Sequence, residues 1–220
     1  MRKETMHKRT FVIGDLQGCF ASLELLLKKI DYHAKHDHIY LLGDIVNRGP
    51  QSLECLRWAA QTPNVRTVLG NHDLHLLAVA AGNERYHHAS DTIKDVLSAE
   101  DRDSLLNWLR HQSMLIHLPE FKTTLVHAGV MPQWTLSTAQ KKAQQVEYIL
   151  QSDDWSSFTR QHLYGNQPTE WSKNLSDMEA LRYIVNTFAR MRLCGTNGEL
   201  EFKHKLGMTD YPKGFKPWFK

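Results

Sequence analysis

The stretch VIGDLQG at residues 12–18 decides the predicted fold, because its plan recurs in YLLGDIVNRG at residues 40–49 and in TVLGNHD at residues 67–73. In each stretch a short apolar run, with the length and β-branched content of a buried strand, ends in glycine, and an oxygen-bearing side chain follows. A segment with the apolar spacing of a helix comes next. Strand, loop and helix therefore alternate three times, which predicts an α/β fold with a parallel sheet and helical crossovers.

The loops that follow these strands carry candidate metal ligands. Because ligands of parallel α/β sheets bind at the carboxyl ends of the strands, the three loops would deliver Asp15, Asp44 and Asn71 to one place. His127 follows a further strand-like run at residues 123–126 and extends the pattern. A mixed Asp, Asn and His set suits Mn²⁺, Fe²⁺, Co²⁺ or Zn²⁺, and the lack of thiolate ligands argues against a structural zinc site. We therefore predict two divalent metal ions, with Asp44 as the bridging ligand.

Three side chains beside these ligands are candidates for acting on a phosphate. Arg48 lies four residues after Asp44 and could bind phosphoryl oxygens through two hydrogen bonds. His72 follows Asn71 and could protonate a leaving oxygen, with Asp73 placed to orient its imidazole. The ordinary alternatives are a surface ion pair for Arg48 and a structural role for His72.

Composition limits the class of protein and its compartment. The 220 residues carry a net charge of +3 without a long basic block, which argues against a dedicated nucleic-acid binder but allows a local basic pocket for a polyphosphate. The sequence shows neither a signal peptide nor an apolar run long enough to span a bilayer. Cys19, Cys55 and Cys194 are odd in number and widely spaced, which favours a reducing compartment. We expect a soluble cytoplasmic protein.

We predict a single domain over residues 1–220, with residues 1–9 as a flexible tail. Residues 83–112 and 137–188 have helical patterns that interrupt the alternation of strands and helices. We interpret both as segments of a helical cap over the crevice.

The remaining strand-like runs lie later in the chain. One covers residues 113–117, and two more at residues 191–194 and 200–202 predict a hairpin. Arg190 and Arg192 would then alternate along a strand and face one side of it, either to assist phosphate binding or to remain in solvent.

The loops GDLQG, GDIVNRGP and GNHDLHLLA, together with VHAG at residues 126–129, resemble those of the calcineurin-like metallophosphoesterase superfamily. Three later segments narrow the resemblance to the symmetrical bis(5′-nucleosyl)-tetraphosphatases, the diadenosine tetraphosphatases of bacteria. These segments are residues 127–140, 164–172 and 181–194, so the resemblance covers nearly the whole chain.

The resemblance implies a β-sheet core flanked by helices and a hydrolase that acts on acid anhydrides. The implied reaction is the hydrolysis of diadenosine 5′,5‴-tetraphosphate to two ADP, with two divalent ions, Mn²⁺ or Co²⁺, as cofactors. The implied partner is a dinucleoside polyphosphate, without a membrane or an obligate protein partner.

This sequence departs from the family pattern at three places. Gln17 stands where the superfamily usually has histidine, and we expect its amide oxygen to be a weaker metal ligand. Asn47 stands where protein phosphatases have aspartate, and we expect it to contact the substrate together with Arg48. Family members continue past the segment Lys216–Phe219 to a Gly-His-Trp strand end whose histidine binds the second metal, whereas this chain stops at Lys220. We therefore expect the C-terminal strands to be missing.

Two alternatives remain open at the level of sequence. The chain could be a related metallophosphoesterase that acts on a phosphoprotein or on the nucleoside-tetraphosphate cap of RNA 5′ ends. It could also be a truncated form, weakly active or inactive, that binds a nucleotide without turning it over.

Overall fold

Three parallel strands form the predicted sheet in the computed structural model of this chain, which describes residues 8–204 and 210–220. They are β1 (Thr10–Ile13), β2 (His38–Leu41) and β3 (Val65–Thr67), in the order β1-β2-β3. Thr10 pairs with His38 and Ile39 pairs with Val65, which sets the register. The predicted parallel sheet is confirmed. Most of the predicted tail lies outside the described residues.

Two helices connect these strands and a third follows them: α1 (Phe20–Lys29), α2 (Ser52–Gln61) and α3 (Asn71–Ala80). The buried residues of α2 recur at helical spacing, at Ser52, Cys55, Leu56 and Ala59, so that one face of the helix packs against the core. Helix α3 is buried along most of its length, and it begins with Asn71, separated by three residues from the end of β3. The sequence pattern therefore places the third candidate ligand at the start of a buried helix.

The region from residue 83 to residue 112 contains a 3₁₀ turn at Glu84–Tyr86, then α4 (Lys94–Leu97) and α5 (Arg102–Arg110). Helix α5 buries Leu105, Leu106 and Leu109, and it packs against α2 and α3. The irregular stretch between the 3₁₀ turn and α4 is the part that reaches the candidate site described below.

Three further helices from the second half of the chain complete the main core: α6 (Leu136–Gln151), α7 (Trp155–Gln161) and α8 (Asp177–Arg190). Helix α8 begins with a capping box, in which Ser176 and Glu179 satisfy each other's backbone amides. The buried faces of these helices belong to the same hydrophobic cluster as the sheet. The division into one domain with cap segments stays a prediction.

Two antiparallel units lie later in the chain. Strands β4 (Ile116–Leu118) and β5 (Thr123–Leu125) form the first, and a bridge between Val68 and Ser113 links this region to the parallel sheet. The second has the order β7-β6-β8, with β6 at Leu193–Gly195, β7 at Leu200–Glu201 and β8 at Phe215–Pro217.

The predicted hairpin is confirmed by the pairing of Cys194 with Leu200. The expectation that Arg190 and Arg192 lie along one strand is wrong, because α8 continues to Arg190 and buries Phe188 and Ala189 just before it. The edge strand β8 was not predicted, since its three residues, which include a proline, show no alternation. In the described part of the chain, no helix has the length and apolar content to cross a bilayer.

Candidate metal centre and substrate pocket

The loops after β1 and β2 are joined through their backbones. The amides of Gln17 and Gly18 donate to the carbonyl oxygens of Asp44 and Ile45 at 2.8 and 3.0 Å. Gly49 permits this close approach, because a Cβ atom there would lie 2.5 Å from the carbonyl oxygen of Gln17. Two loops that are remote in sequence are therefore held edge to edge at the carboxyl ends of their strands.

Several residues of these loops adopt left-handed backbone angles that are uncommon outside glycine. Among the described non-glycine residues with positive φ are Gln17 (43°), Asp44 (50°), Asn47 (75°) and Arg48 (68°). Such conformations persist where surrounding contacts impose them, and they cluster at functional sites. Four of the predicted site residues are thus oriented by tertiary contacts and not by their own backbone preference.

Asp44 lies at the centre of the candidate site. Its side chain is only 4% exposed, and its Oδ1 accepts a hydrogen bond of 2.8 Å from the amide of His72. Its Oδ2 faces two imidazoles, at 3.6 Å from Nε2 of His127 and 4.0 Å from Nε2 of His72. The structure therefore brings these three predicted residues together.

The orientation of His127 indicates a place for a cation. Its Nδ1 lies 2.6 Å from the carbonyl oxygen of Leu42, and because a carbonyl oxygen only accepts, Nδ1 carries the proton. In the neutral ring, the lone pair of Nε2 then points toward the Asp44 carboxylate across 3.6 Å, which is too long for a hydrogen bond. A backbone partner that fixes the imidazole in this way is typical of metal-binding histidine. The donors around Asp44 therefore fit a divalent ion.

Asp73 has a role that differs from the prediction. Its Oδ2 accepts from the amides of Asp44 and Gly70 at 2.8 and 2.9 Å, and its Oδ1 accepts from the amide of Ile45 at 2.9 Å. The prediction that Asp73 orients the imidazole of His72 is therefore wrong. Burial raises the pKa of Asp73, as does the charge of Asp44, while the amide hydrogen bonds oppose the shift. Asp73 joins the loops after β2 and β3.

Asn47 is the residue that orients His72. Its Oδ1 accepts from the amides of Arg48 and Thr92 at 2.8 and 3.0 Å, which identifies Nδ2 as the donor atom. That Nδ2 lies 3.1 Å from Nδ1 of His72, so Nδ1 accepts and the proton of the neutral ring is on Nε2. Burial lowers the pKa of His72, although the charge of Asp44 opposes this. The proton of His72 therefore lies on the side of Asp44.

A second set of polar residues holds Asn47 in turn. Nδ2 of Asn47 donates to Oδ1 of Asp91 at 2.9 Å, and Oδ2 of Asp91 lies 2.9 Å from Nε2 of His75. Nδ1 of His75 lies 2.5 Å from the hydroxyl of Tyr164. Although burial acts in the other direction, hydrogen bonds from His88, Asn47 and His75 lower the pKa of Asp91 to about 2. Asp91 is thus an ionised acceptor that links the site to the 83–93 stretch.

The other predicted ligands are less closely grouped. Asp15 is exposed, and its Oδ2 accepts from Nε2 of Gln17 at 3.5 Å. Asn71 is half-buried at the start of α3. Within residues 8–204 and 210–220, no three side chains of His, Cys, Asp and Glu form a group that could hold a metal by themselves. The predicted set depends on the amides of Gln17 and Asn71, and the assignment of its five ligands stays a prediction.

A pocket of about 440 Å³ adjoins the candidate metal centre and shares Asn71 and His72 with it. Arg48 lies exposed at this pocket. The rings of Tyr86 and Tyr164 stack there with centroids 4.0 Å apart. Sequence reasoning assigned no definite role to several residues of the pocket wall, which are His75, Tyr86, Asp91, Tyr164, Asn166 and Arg190. Tyr164 and Asn166 lie in one family-like segment of the sequence and Arg190 lies in another, and for Arg190 the sequence left phosphate binding open as one of two roles.

The sequence pattern of one family matches this chain from residue 8 to residue 204, and that family is described as calcineurin-like phosphoesterase. The chain belongs to the calcineurin-like phosphoesterase family. This confirms the fold class predicted from the three loops.

Curated members of this family resemble the chain over most of its length. A protein of Ectopseudomonas mendocina named bis(5′-nucleosyl)-tetraphosphatase, symmetrical, is 47% identical over 210 residues, which cover 95% of this chain and 77% of that protein. Proteins of the same name from Pseudomonas putida and Actinobacillus pleuropneumoniae are 46% and 44% identical. Each alignment covers 96% of this chain, with 73% and 78% of the respective relative. The predicted resemblance to the symmetrical tetraphosphatases is confirmed.

Proposed function

We propose that this calcineurin-like phosphoesterase hydrolyses diadenosine 5′,5‴-tetraphosphate to two ADP at the site around Asp44. The similarity to the symmetrical bis(5′-nucleosyl)-tetraphosphatases supports this substrate. The observation that carries the proposal for the site is the meeting of His127 and His72 at the buried carboxylate of Asp44. Arg48 at the adjoining pocket supplies a cation for phosphoryl oxygens.

Divalent cations would be held by Asp44 and His127, with Asn71, Gln17 and Asp15 as the further proposed ligands. When bound, such ions supply Lewis acidity, which activates water and neutralises phosphate charge. Their identity as Mn²⁺ or Co²⁺ is part of the proposal, and the donor set of carboxylate, amide and imidazole suits both.

The side chains around the ions would bind and orient the substrate. Arg48 donates to the phosphoryl oxygens of the phosphorus under attack, and Asn47 keeps His72 in the tautomer that carries its proton on Nε2. His72 donates that proton to the oxygen of the departing ADP. Asp73 keeps Asp44 and Gly70 in place through their amides and takes no direct part.

Substitution of Asp44 tests the site. Asp44→Asn should abolish ADP release from diadenosine tetraphosphate in Mn²⁺ or Co²⁺, measured by chromatography of the products. Asp103→Asn is the matched control, because the Asp103 side chain is 91% exposed and remote from the site in its contacts. Normal metal-dependent turnover by Asp44→Asn would overturn the proposal.

The alternatives are separated by substrate. Rates on diadenosine tetraphosphate, a phosphopeptide and RNA with a nucleoside-tetraphosphate cap, measured under the same conditions, should be highest for the first. Nucleotide binding without ADP release in saturating Mn²⁺ would favour the alternative that the chain binds a nucleotide without turning it over.

We also propose a cytoplasmic location, because Cys19, Cys55 and Cys194 are all free thiols, which suits a reducing compartment.

A further inference from the structure

Arg190 is a cation in the pocket wall that the reaction described above does not use. It is the last residue of α8 and is half-buried. It lines the same pocket as Arg48 and His72. Because Arg48 and His72 are proposed to act on phosphate, the contacts of Arg190 indicate whether it could bind phosphate as well.

The partners of the Arg190 guanidinium are neutral. Nη1 donates to Oδ1 of Asn186 at 2.9 Å and to the carbonyl oxygen of Gly165 at 3.3 Å, and Nη2 donates to Oδ1 of Asn166 at 2.9 Å. The Cζ atom lies 4.6 Å from the ring centroid of Phe202. Burial lowers the pKa of Arg190, which reflects the cost of its charge in this place.

Three other arginines of the described residues pair with a carboxylate, whereas Arg110 and Arg182, like Arg190, have neutral hydrogen-bond partners. Arg9, Arg57 and Arg102 pair with aspartate at 2.6, 2.7 and 2.9 Å. Arg190 is half-buried, yet among the described residues no carboxylate oxygen lies within 4.0 Å of its guanidinium. A half-buried charge without a counter-charge is costly, and an anionic ligand would offset that cost.

The guanidinium retains donors for such a ligand. Arginine has five N–H groups, and the contacts with Asn186, Gly165 and Asn166 engage three of them. Within the described part of the chain, the Nε–H and one N–H of Nη2 have no hydrogen-bond acceptor from the protein. Two such donors are the number that a planar arginine presents to one phosphate group.

A purely structural role is the alternative. Arg182, Asn186 and Arg190 lie four residues apart on one face of α8 and bind the loop that leads into this helix. Arg182 donates to the carbonyl oxygens of His162 and Gln167 at 2.7 and 3.1 Å. However, Asn186 already holds the carbonyl oxygen of Gly165 at 2.9 Å, and Arg182 does not line the pocket. Arg182 and Asn186 therefore hold the loop without Arg190, and of the two arginines only Arg190 lines the pocket.

We propose that Arg190 binds the phosphates of the substrate beyond the phosphate held by Arg48. This inference rests on the proposed function, since it names a second binding residue for the same polyphosphate chain. With one cation for the phosphorus under attack and another for the following phosphates, the two arginines fix which bridging oxygen faces His72. Arg190 is then a specificity residue for the length of the polyphosphate.

Kinetics with substrates of different length test this role. Arg190→Gln should lower kcat/KM for diadenosine tetraphosphate by about 10- to 100-fold, mainly through KM, because a charge-assisted contact to phosphate is lost. It should also change the ratio of products from diadenosine pentaphosphate. Hydrolysis of p-nitrophenyl phosphate, which has a single phosphate, should be nearly unchanged, and Arg190→Lys should recover part of the loss.

Two arginines serve as controls. Arg192→Gln should leave all substrates unaffected, because Arg192 is exposed and does not line the pocket. Arg182→Gln loosens the same loop, so it should lower Tm and reduce turnover of long and short substrates alike. If Arg190→Gln reproduces this pattern, or leaves diadenosine tetraphosphate unaffected, the inference is overturned.

Binding of tripolyphosphate separates this inference from the proposed function. Calorimetry with the wild-type chain and with Arg190→Gln needs no turnover, and the variant should bind about 10-fold or more weakly. Equal binding would overturn the role of Arg190 even if the wild-type chain releases ADP. Weaker binding would support it even if another substrate replaces diadenosine tetraphosphate.

Discussion

The two halves of the candidate metal centre differ in how firmly the protein holds them. The half around Asp44 is buried, with Asp73 fully buried behind it, and backbone amides and the carbonyl oxygen of Leu42 fix its side chains. The half around Asp15 is exposed, and among the described residues the carboxylate of Asp15 accepts a single hydrogen bond, of 3.5 Å from Gln17. Both halves come from loops of the same design, so the difference lies in what packs against them.

This comparison indicates a division of roles. The buried half is preorganised, because hydrogen bonds with the backbone fix the side chains of Asp44, Asp73 and His127. The exposed half leaves the carboxylate of Asp15 accessible to solvent, so Asp15 and Gln17 would hold an ion less firmly than the ligands of the buried half. We therefore expect substitutions in the buried half to affect folding and catalysis together, and those in the exposed half to affect mainly metal affinity.

Asp73→Asn should produce the largest effect, by breaking the buried half. An asparagine has a single acceptor oxygen, so at least one of the three amides that Asp73 binds would face an NH₂ group. The free energy of unfolding should fall by about 3 kcal/mol, measured by urea denaturation. Asp153→Asn, at an exposed position, should not change it. An unchanged denaturation midpoint for Asp73→Asn would contradict this account of the buried half.

Gly70→Ala and Gly14→Ala compare the halves directly, since both glycines follow a strand of the sheet. A Cβ atom on Gly70 would collide with the amide and the carboxylate of Asp44, whereas a Cβ atom on Gly14 would meet nothing within 4 Å. We expect Gly70→Ala to cost about 2 kcal/mol of stability and most of the activity. Gly14→Ala should be close to neutral in both. Equal effects of the two substitutions would argue against the difference between the halves.

Asp91→Ala should have a smaller effect, because it acts on His72 through Asn47. Loss of the Asp91 carboxylate releases Asn47 and His75, so we expect kcat to fall about tenfold while the Mn²⁺ concentration for half-maximal activity stays constant. Asp153→Ala controls for loss of an exposed carboxylate. A change in metal requirement with unchanged kcat would place Asp91 with the metal ligands instead.

Gln17→His should have the smallest effect, and it tests the exposed half of the metal centre. Imidazole is a stronger ligand than an amide oxygen for Mn²⁺ or Co²⁺, and histidine tolerates the positive φ of 43° at this position. The half-saturating metal concentration should fall several-fold, about 3-fold or more, with little change in Tm. Gln151→His, at the exposed end of α6, should have no such effect. A loss of stability in Gln17→His would show that the exposed half is more constrained than its contacts indicate.

The sequence by itself determined the parallel sheet, the three loops at its carboxyl ends and the family. These features are local, since a strand, a glycine and a following polar residue can be recognised within about ten residues, and each repeat confirms the others. The approach of His127 to Asp44 was also predictable, because each follows a strand-like run that ends in a candidate ligand, although His127 follows the antiparallel strand β5 and not a strand of the parallel sheet.

Only the tertiary structure decided what the polar residues bind. Asp73 follows His72 directly in the chain, yet its carboxylate accepts hydrogen bonds from the amides of Asp44 and Ile45. The role predicted for Asp73, to orient the imidazole of His72, belongs to Asn47. Asp91 and Tyr164 reach the site from segments that are irregular in the structure, although the regions that contain them have helical sequence patterns, and Arg190 reaches it because α8 ends at the pocket. Periodicity predicts which face of an element is buried, but the partner of a buried polar atom depends on which distant segment supplies the missing donor or acceptor.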